Sequence, residues 1–186
     1  MSRPPADVAA RIRPLAPADS LVELTALLHR AYARLAARGW NYTATDQDVE
    51  TTRRRATKGT CLVAEIGGRV VGTLSLWRGG PAEEDHRFAD PSSVLLGQFA
   101  VEPALQGRGI GGALLAEAER RARAEGAREV LGDTAEGATD LVHLYERRGF
   151  AVVGRVRWPG KTYASVVLAK RLDGPAQPEG PPPGGA

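Results

Sequence analysis

The segment between residues 101 and 112 contains the residues whose types and spacing best indicate a chemical function. It reads Val-Glu-Pro-Ala-Leu-Gln-Gly-Arg-Gly-Ile-Gly-Gly, and a predicted helix follows it. Glycines keep Cβ atoms away from the main-chain N–H groups, and a helix N-terminus leaves four such groups without partners at the positive end of its dipole. The segment therefore predicts a site for a pyrophosphate, to which Arg108 can add a charge-assisted contact.

Glycine-rich segments also occur in dinucleotide-binding folds, in Walker loops and where a helix packs closely on a sheet. Residues 107–112 satisfy the G-x-G-x-x-G pattern of dinucleotide-binding folds. In those folds the first glycine directly follows a strand, whereas here five residues, Pro103 among them, separate Val101 from Gly107. A Walker loop is excluded because no G-K-[ST] sequence occurs. Glycines that merely allow a helix to pack closely on a sheet remain an alternative.

The segment resembles the acetyl-CoA signature of the GNAT acyltransferases. In that signature a strand ending in Val is followed by x-Pro and then by Gln/Arg-x-x-Gly-x-Gly/Ala at the start of a helix, as at Gln106, Gly109 and Gly111. The resemblance implies acetyl-CoA as the co-substrate, with no metal, and main-chain pairing of Phe99 and Val101 with the pantetheine arm. It further implies a pyrophosphate site made by Gln106, Gly107, Arg108, Gly109, Ile110 and Gly111.

Transfer of an acetyl group from a thioester to an amine requires a proton for the leaving thiolate, and Tyr145 is the candidate donor. It lies in Leu-Tyr-Glu-Arg-Arg-Gly-Phe over 144–150, which resembles the family's second landmark, a helix bearing Tyr followed by Gly-Phe. A phenol with a pKa near ~10 stays protonated at neutral pH. A tyrosine that only packs on the sheet is the alternative.

One position departs from the family pattern. Seven residues before Tyr145, where the family commonly has an Asn that contacts the pantetheine, this chain has Ala138. We therefore expect the loss of one side-chain hydrogen bond to the cofactor, worth roughly 1 kcal/mol.

The general base is less sharply defined. Asp133 ends the strand expected beside the cofactor strand and is the preferred catalytic carboxylate, with Glu102 as a second candidate. Either could instead cap or solvate a turn. The acceptor pocket could be lined by Trp40, Tyr42 and Trp158, or these residues could pack in the core.

The sequence contains two further sets of polar residues of types that occur in functional sites. The acidic run over 83–85 (Glu83, Glu84 and Asp85) is expected in a loop near the acceptor mouth, where it could attract a cationic amine or simply be solvated. The three histidines (His29, His86 and His143) lack partners at metal-binding spacing, so no metal site is expected.

The hydrophobic pattern predicts the elements that position these residues. In chain order it gives a strand over 9–15, a helix over 20–38, a helix over 45–58, strands over 60–66 and 69–77, a polar loop over 78–92, a strand over 94–101, a helix over 110–125, a strand over 129–134, a helix over 139–148, and strands over 150–158 and 162–172. This order predicts an α/β fold with a mixed sheet, in which a crossover helix makes the central pair parallel. The resemblance implies the single-domain GNAT fold, with splayed parallel strands flanked by helices.

Length and composition limit the remaining possibilities. The chain has 186 residues, 42% of them hydrophobic, which suits one domain over 9–172. Residues 1–8 are expected to be flexible, and the Pro/Gly-rich tail over 173–186 to be disordered. The single cysteine, Cys61, and the absence of a long apolar run predict a cytoplasmic protein without a membrane partner.

The net charge and the distribution of arginines limit the classes of partner that the protein could bind. The formal net charge is +3, and the arginines are scattered among glutamates and alanines, so nucleic-acid binding is not expected. The sequence thus predicts an N-acetyltransferase that passes the acetyl group directly to a primary amine of a small molecule or peptide. A non-catalytic acyl-CoA-binding module is the alternative. In either case the last two strands, over 150–158 and 162–172, form a terminal hairpin that could pair in a homodimer.

Overall fold

The computed structural model describes residues 10–80 and 86–172. Expectations for the N-terminal residues 1–8, the acidic run 83–85 and the tail 173–186 fall outside this range. The strands of the described part are β1 (Arg11–Pro14), β2 (Thr60–Ile66), β3 (Arg69–Arg78), β4 (Ser93–Val101), β5 (Glu129–Ala135), β6 (Ala151–Val156) and β7 (Ser165–Arg171). The α-helices are α1 (Leu21–Ala36), α2 (Val49–Ala56), α3 (Ile110–Ala124) and α4 (Thr139–Glu146).

The strands form one mixed sheet in the order β1-β2-β3-β4-β5-β7-β6. Only β4 and β5 pair in parallel, as expected for strands joined by the crossover helix α3. Their pairing covers just three positions and ends at Leu95 opposite Leu131. Beyond that point the two strands separate, and the splayed parallel pair predicted from the sequence is confirmed.

The separation coincides with a β-bulge in β4. Ala100 pairs with Thr73 and Gly97 with Ser75, so β4 has one more residue than β3 in this stretch. Gln98 has a positive φ of 49°, the only such value among the described non-glycine residues. The extra residue changes the face on which the following side chains lie: Leu96 and Phe99 both pack against the same hydrophobic cluster although they are three residues apart.

The helices cover the two faces of the sheet. Helix α3 packs on the face that carries Leu62 and Leu74, and Tyr145 of α4 joins the same cluster. Helices α1 and α2 pack on the opposite face, which carries Cys61 and Val63. Cys61 is buried, and burial raises the pKa of its thiol, in agreement with a packing role.

The strands and α-helices occur in the predicted order, and several of their ends differ from the prediction. The Gly67-Gly68 turn has positive φ at both residues, as a tight hairpin requires. The second helix begins at Val49 rather than at residue 45, because Asp48 accepts a hydrogen bond from the Thr51 N–H and caps it. The last strand begins at Ser165 rather than at residue 162.

Candidate active site

A cavity of about 1030 Å³ occupies the gap between the splayed strands. It passes through the sheet, so residues of both faces line it. On the side of α3 its lining includes Phe99, Tyr145, Arg148 and the glycine turn at Gln106, Gly107, Gly109, Gly111 and Gly112. On the side of α1 its lining includes Arg55, Trp77, Phe88, Asp133, Trp158 and Lys161. We call these the α3 side and the α1 side.

The glycine turn enters the cavity with free main-chain donors. Gly107 and Gly109 have φ values of +77° and +81°, and a Cβ atom on either would have no heavy atom within 4 Å. Gly109 is the N-cap of α3 and has no side chain to occupy the first turn. Among the described residues, no acceptor binds the N–H groups of Ile110, Gly111 and Gly112. This is the donor cluster that the sequence predicted for a pyrophosphate.

The other predicted residues of the turn lie around this cluster. The side chain of Gln106 turns back, and its Nε2 donates to the main-chain oxygen of Val101 at 3.1 Å. Ile110 is 5% exposed and its side chain packs in the core, so only its main chain faces the turn. Arg108 is exposed and does not line the cavity.

The main chain of β4 faces the gap at the predicted positions. Glu102 N–H donates to the carbonyl oxygen of Val71 on β3. Since successive residues of a strand direct their polar groups to opposite edges, Val101 and Phe99 direct theirs toward the gap. The carbonyl oxygen of Phe99 already accepts a hydrogen bond from the Tyr32 hydroxyl at 3.2 Å.

Tyr145 lies across the cavity from the glycine turn. It is 8% exposed, and its ring lies 6.2 Å from that of Phe99 and 5.3 Å from that of Phe150. Its hydroxyl has no hydrogen-bond partner among the described residues. Burial raises the pKa of Tyr145 well above its ordinary value, so the phenol keeps its proton.

Asp133 reaches the cavity on the α1 side. Its Oδ2 accepts a hydrogen bond from Trp158 Nε1 at 2.9 Å, and no described residue donates to Oδ1. The other candidate carboxylate, Glu102, does not line the cavity, because it pairs with Arg30 at 2.9 Å. Of the two, only Asp133 is placed to meet a ligand.

Some of the remaining residues considered for the acceptor and cofactor sites line the cavity, and others do not. Tyr42 and Trp158 line the cavity, whereas Trp40 does not. Ala138 is fully buried in a cluster with Ala135 and Tyr163, and it does not itself line the cavity. No described group of His, Cys, Asp or Glu could hold a metal ion, and within the same residues no helix is long and apolar enough to cross a membrane.

Sequence reasoning missed Arg148. Its guanidinium lies directly over Gly112, in the space that a side chain on this glycine would fill. It therefore adds a positive charge beside the free N–H groups at the start of α3. The signal was the second arginine before Gly149-Phe150, but nothing local to it indicated that it faces the turn.

Sequence reasoning also missed Arg55. It is the last of three consecutive arginines, Arg53 to Arg55, near the end of the second helix, yet it reaches the cavity wall. Its Nη1 donates to Gln47 Oε1 at 2.6 Å, and burial lowers its pKa. The available signal was its position three residues after Thr52, which is buried.

Comparison with known proteins gives the following similarities. The model of the acetyltransferase (GNAT) family matches residues 22–150. No curated protein sequence matches the chain.

Solved structures with the same fold have low sequence identity to this chain. A GNAT family acetyltransferase from Elizabethkingia anophelis with acetyl-CoA bound is 18% identical with a TM-score of 0.63, over 88% of this chain and 98% of the other. A Bacillus subtilis acetyltransferase in complex with CoA is 19% identical with a TM-score of 0.62, over 87% and 98%. The ribosomal-protein-S18-alanine N-acetyltransferase from Escherichia coli is 15% identical with a TM-score of 0.67, over 91% and 98%. At these identities the structures establish the fold.

Proposed function

Because the chain belongs to the GNAT acetyltransferase family, we propose that it passes the acetyl group of acetyl-CoA directly to a primary amine held in the same cavity. One observation carries this proposal. The N–H groups at the start of α3 and the hydroxyl of Tyr145, none of which has a partner within residues 10–80 and 86–172, face one cavity between splayed strands. An anion site and a proton donor are thus combined beside a gap that can hold an extended thioester.

The α3 side is proposed to bind acetyl-CoA. The pyrophosphate would accept hydrogen bonds from the turn over 106–111, with the charge of Arg148 nearby. The pantetheine arm would lie along the free edge of β4 at Phe99 and Val101, like an added strand. Two structures of the same fold contain acetyl-CoA or CoA, which supports this choice of co-substrate.

The chemistry is proposed to proceed without a covalent enzyme intermediate. The amine nitrogen attacks the thioester carbonyl carbon, Asp133 takes a proton from that nitrogen, and the carbon–sulfur bond breaks. Tyr145 donates its proton to the departing thiolate, and the proton held by Asp133 returns through water to the Tyr145 phenolate before the next turnover. Main-chain N–H groups at the bulge in β4 can polarise the carbonyl oxygen during the attack.

The same proposal covers the domain, the compartment, self-association and the class of acceptor. Residues 9–172 form the acetyltransferase domain, and the protein works in the cytoplasm, which suits its one unpaired, buried thiol. A second copy of the chain would pair along β6, because β6 is an edge strand of the sheet. The acceptor is a small molecule or a peptide, and the protein acts without nucleic acid or membrane.

The proposal is tested by release of CoA thiol from acetyl-CoA with and without a panel of primary amines. Amine-dependent release, with the acetylated amine identified by mass spectrometry, is expected. Tight binding of acetyl-CoA without release by any amine would instead favour a non-catalytic acyl-CoA-binding module. Absence of acetyl-CoA binding in calorimetry would contradict both.

A further inference from the structure

The guanidinium group of Arg55 lies at the α1 side of the cavity without a carboxylate partner. Among the described residues, no Asp or Glu oxygen lies within 4 Å of it, and its one hydrogen bond goes to Gln47 Oε1 at 2.6 Å. A guanidinium has five N–H donors in a planar fork. Burying a charge with so few partners is costly unless a ligand completes the set.

A polar network fixes Arg55 in this position. Gln47 Nε2 donates to Thr52 Oγ1 at 2.7 Å and to Gln98 Oε1 at 2.9 Å, and both glutamine side chains are buried. Gln98 Nε2 in turn donates to Ser75 Oγ at 3.2 Å. The guanidinium is therefore tied to the bulge of β4, beside the gap where the proposed acetyl transfer takes place.

The neighbouring charges make the α1 side cationic. Lys161 Nζ donates to Asn41 O at 2.8 Å and to Thr43 Oγ1 at 3.1 Å, and no described carboxylate lies within 4 Å of it. Burial, followed by the charge of Arg55, lowers the pKa of Lys161. Asp133 is the one carboxylate among the described residues that line the cavity. Lys58 lines the cavity as well, so three cations on this side accompany a single anion.

We infer that the amine acceptor also bears a carboxylate, which Arg55 binds through its free N–H groups while Asp133 faces the amine. This inference rests on the proposed function and names the class of acceptor. A planar carboxylate matches the fork of a guanidinium, and the paired charges of such an acceptor complement Arg55 and Asp133. A diamine or polyamine would place its second cation against Arg55 and Lys161.

Aromatic side chains define the body of this acceptor. Phe88 and Trp158 pack edge to face at 5.2 Å, and Trp77 lines the cavity beside Arg55. The α1 side therefore combines aromatic walls with the cationic donors of Arg55 and Lys161, which suits an apolar or aromatic amine with an acidic end.

The test uses three amines that share one scaffold and differ only in the charge of the distant group: para-(aminomethyl)benzoate, its amide, and para-xylylenediamine. The reacting amine is nearly the same in all three, so differences report recognition of the far end. With the wild-type enzyme we expect kcat/KM for the benzoate to exceed that for the amide by on the order of 10-fold, and that for the diamine by more. Calorimetry with the enzyme–CoA complex measures the same preference without turnover.

Arg55→Gln removes the charge and keeps a polar side chain. We expect the benzoate-to-amide ratio to fall close to 1, while Arg55→Lys retains part of it. Arg54→Gln is the matched control, because Arg54 is exposed on the same helix and, within the described part of the chain, bonds only to Thr51. A structural role for Arg55 would lower all three rates together and leave the ratio unchanged.

The outcomes separate this inference from the proposed function. Equal use of all three amines, a preference for the diamine, or an unchanged ratio in Arg55→Gln would overturn the carboxylate inference and leave acetyl transfer intact. Failure of the benzoate to bind the enzyme–CoA complex would overturn it as well. Failure of acetyl-CoA itself to bind would overturn the proposed function first.

Discussion

The rings of Tyr32 and Tyr42 lie 5.5 Å apart, and their hydroxyl groups bind the two strands that separate at the cavity. Tyr32 donates to the carbonyl oxygen of Phe99 on β4. Tyr42 accepts from the Ala135 N–H of β5 at 2.8 Å and shares a hydrogen bond with Thr134 Oγ1. The pair therefore bridges the gap that direct strand pairing leaves open.

This bridge predicts unequal effects of removing the two hydroxyl groups. Tyr42→Phe leaves the buried Thr134 hydroxyl and the Ala135 N–H without their partner, so the free energy of unfolding should fall by about 1–3 kcal/mol. Tyr32→Phe only frees a carbonyl oxygen at the cavity and should cost about 1 kcal/mol or less. Urea unfolding measures the free energy of unfolding of both variants. Equal losses would contradict the prediction that the Tyr42 hydroxyl contributes more than the Tyr32 hydroxyl.

The glycine turn predicts an effect of charge at Gly109. Asp and Asn both tolerate a positive φ, and there is open space for either side chain. Gly109→Asp places a negative charge at the proposed pyrophosphate site, whereas Gly109→Asn has nearly the same shape without that charge. Acetyl-CoA affinity measured by calorimetry should be on the order of 100-fold weaker in the Asp variant than in the Asn variant. Similar dissociation constants in the two variants would place the pyrophosphate elsewhere.

Substitution of Gly112 by alanine is expected to increase stability and to weaken cofactor binding. A methyl group there overlaps the guanidinium of Arg148, which is the mobile end of a long side chain and can move away. Gly112→Ala should raise the free energy of unfolding by up to about 1 kcal/mol, because alanine favours the helix. It should also weaken acetyl-CoA binding to the level of Arg148→Met. An unchanged dissociation constant in either variant would remove Arg148 from the cofactor site.

Tyr145 is expected to affect turnover and leave cofactor binding almost unchanged. Tyr145→Phe keeps the ring against Phe99 and Phe150 but removes the proton donor, so kcat should fall by about 100-fold or more while the acetyl-CoA dissociation constant stays the same. Because burial raises its pKa, Tyr145 stays protonated below about pH 10, and no alkaline loss of activity in that range should depend on it. Full activity of the variant would leave Tyr145 with a packing role only.

The sequence predicted the elements whose signals are local. Ser20 and Glu23 have the spacing of a capping box, and Ser20 accepts from the Glu23 N–H. The glycines on either side of Arg108 have positive φ values, which glycine adopts readily. It could not place features that depend on distant partners. Residues 157–164 do not continue the last two strands, because Asn41 binds both Gly160 O and Thr162 N from 119 and 121 residues away.

The same limit applies to the site. In the sequence, Arg55 is only one of three consecutive arginines on a helix. In the structure it binds Gln47, which in turn binds Gln98, and these contacts hold it at the cavity wall. The bulge at Gln98 has no signal in the local pattern, because a glutamine is an ordinary residue at a strand position. Contacts across the sheet decide both, and hydrophobic periodicity does not report such contacts.

Asp133 is expected to affect the chemical step through its charge rather than through its shape. Asp133→Asn retains an oxygen that can accept the 2.9 Å hydrogen bond from Trp158 Nε1, so the side chain should stay in place. It loses the ability to take a proton from the amine, and kcat should fall by about 100-fold or more at unchanged acetyl-CoA affinity. Trp158→Phe is the complementary variant: it keeps an aromatic ring beside Phe88 but frees the carboxylate, and a smaller loss in kcat is expected because the base remains. If Asp133→Asn retained full activity while Trp158→Phe did not, the indole would be the important group and the amine would lose its proton to water.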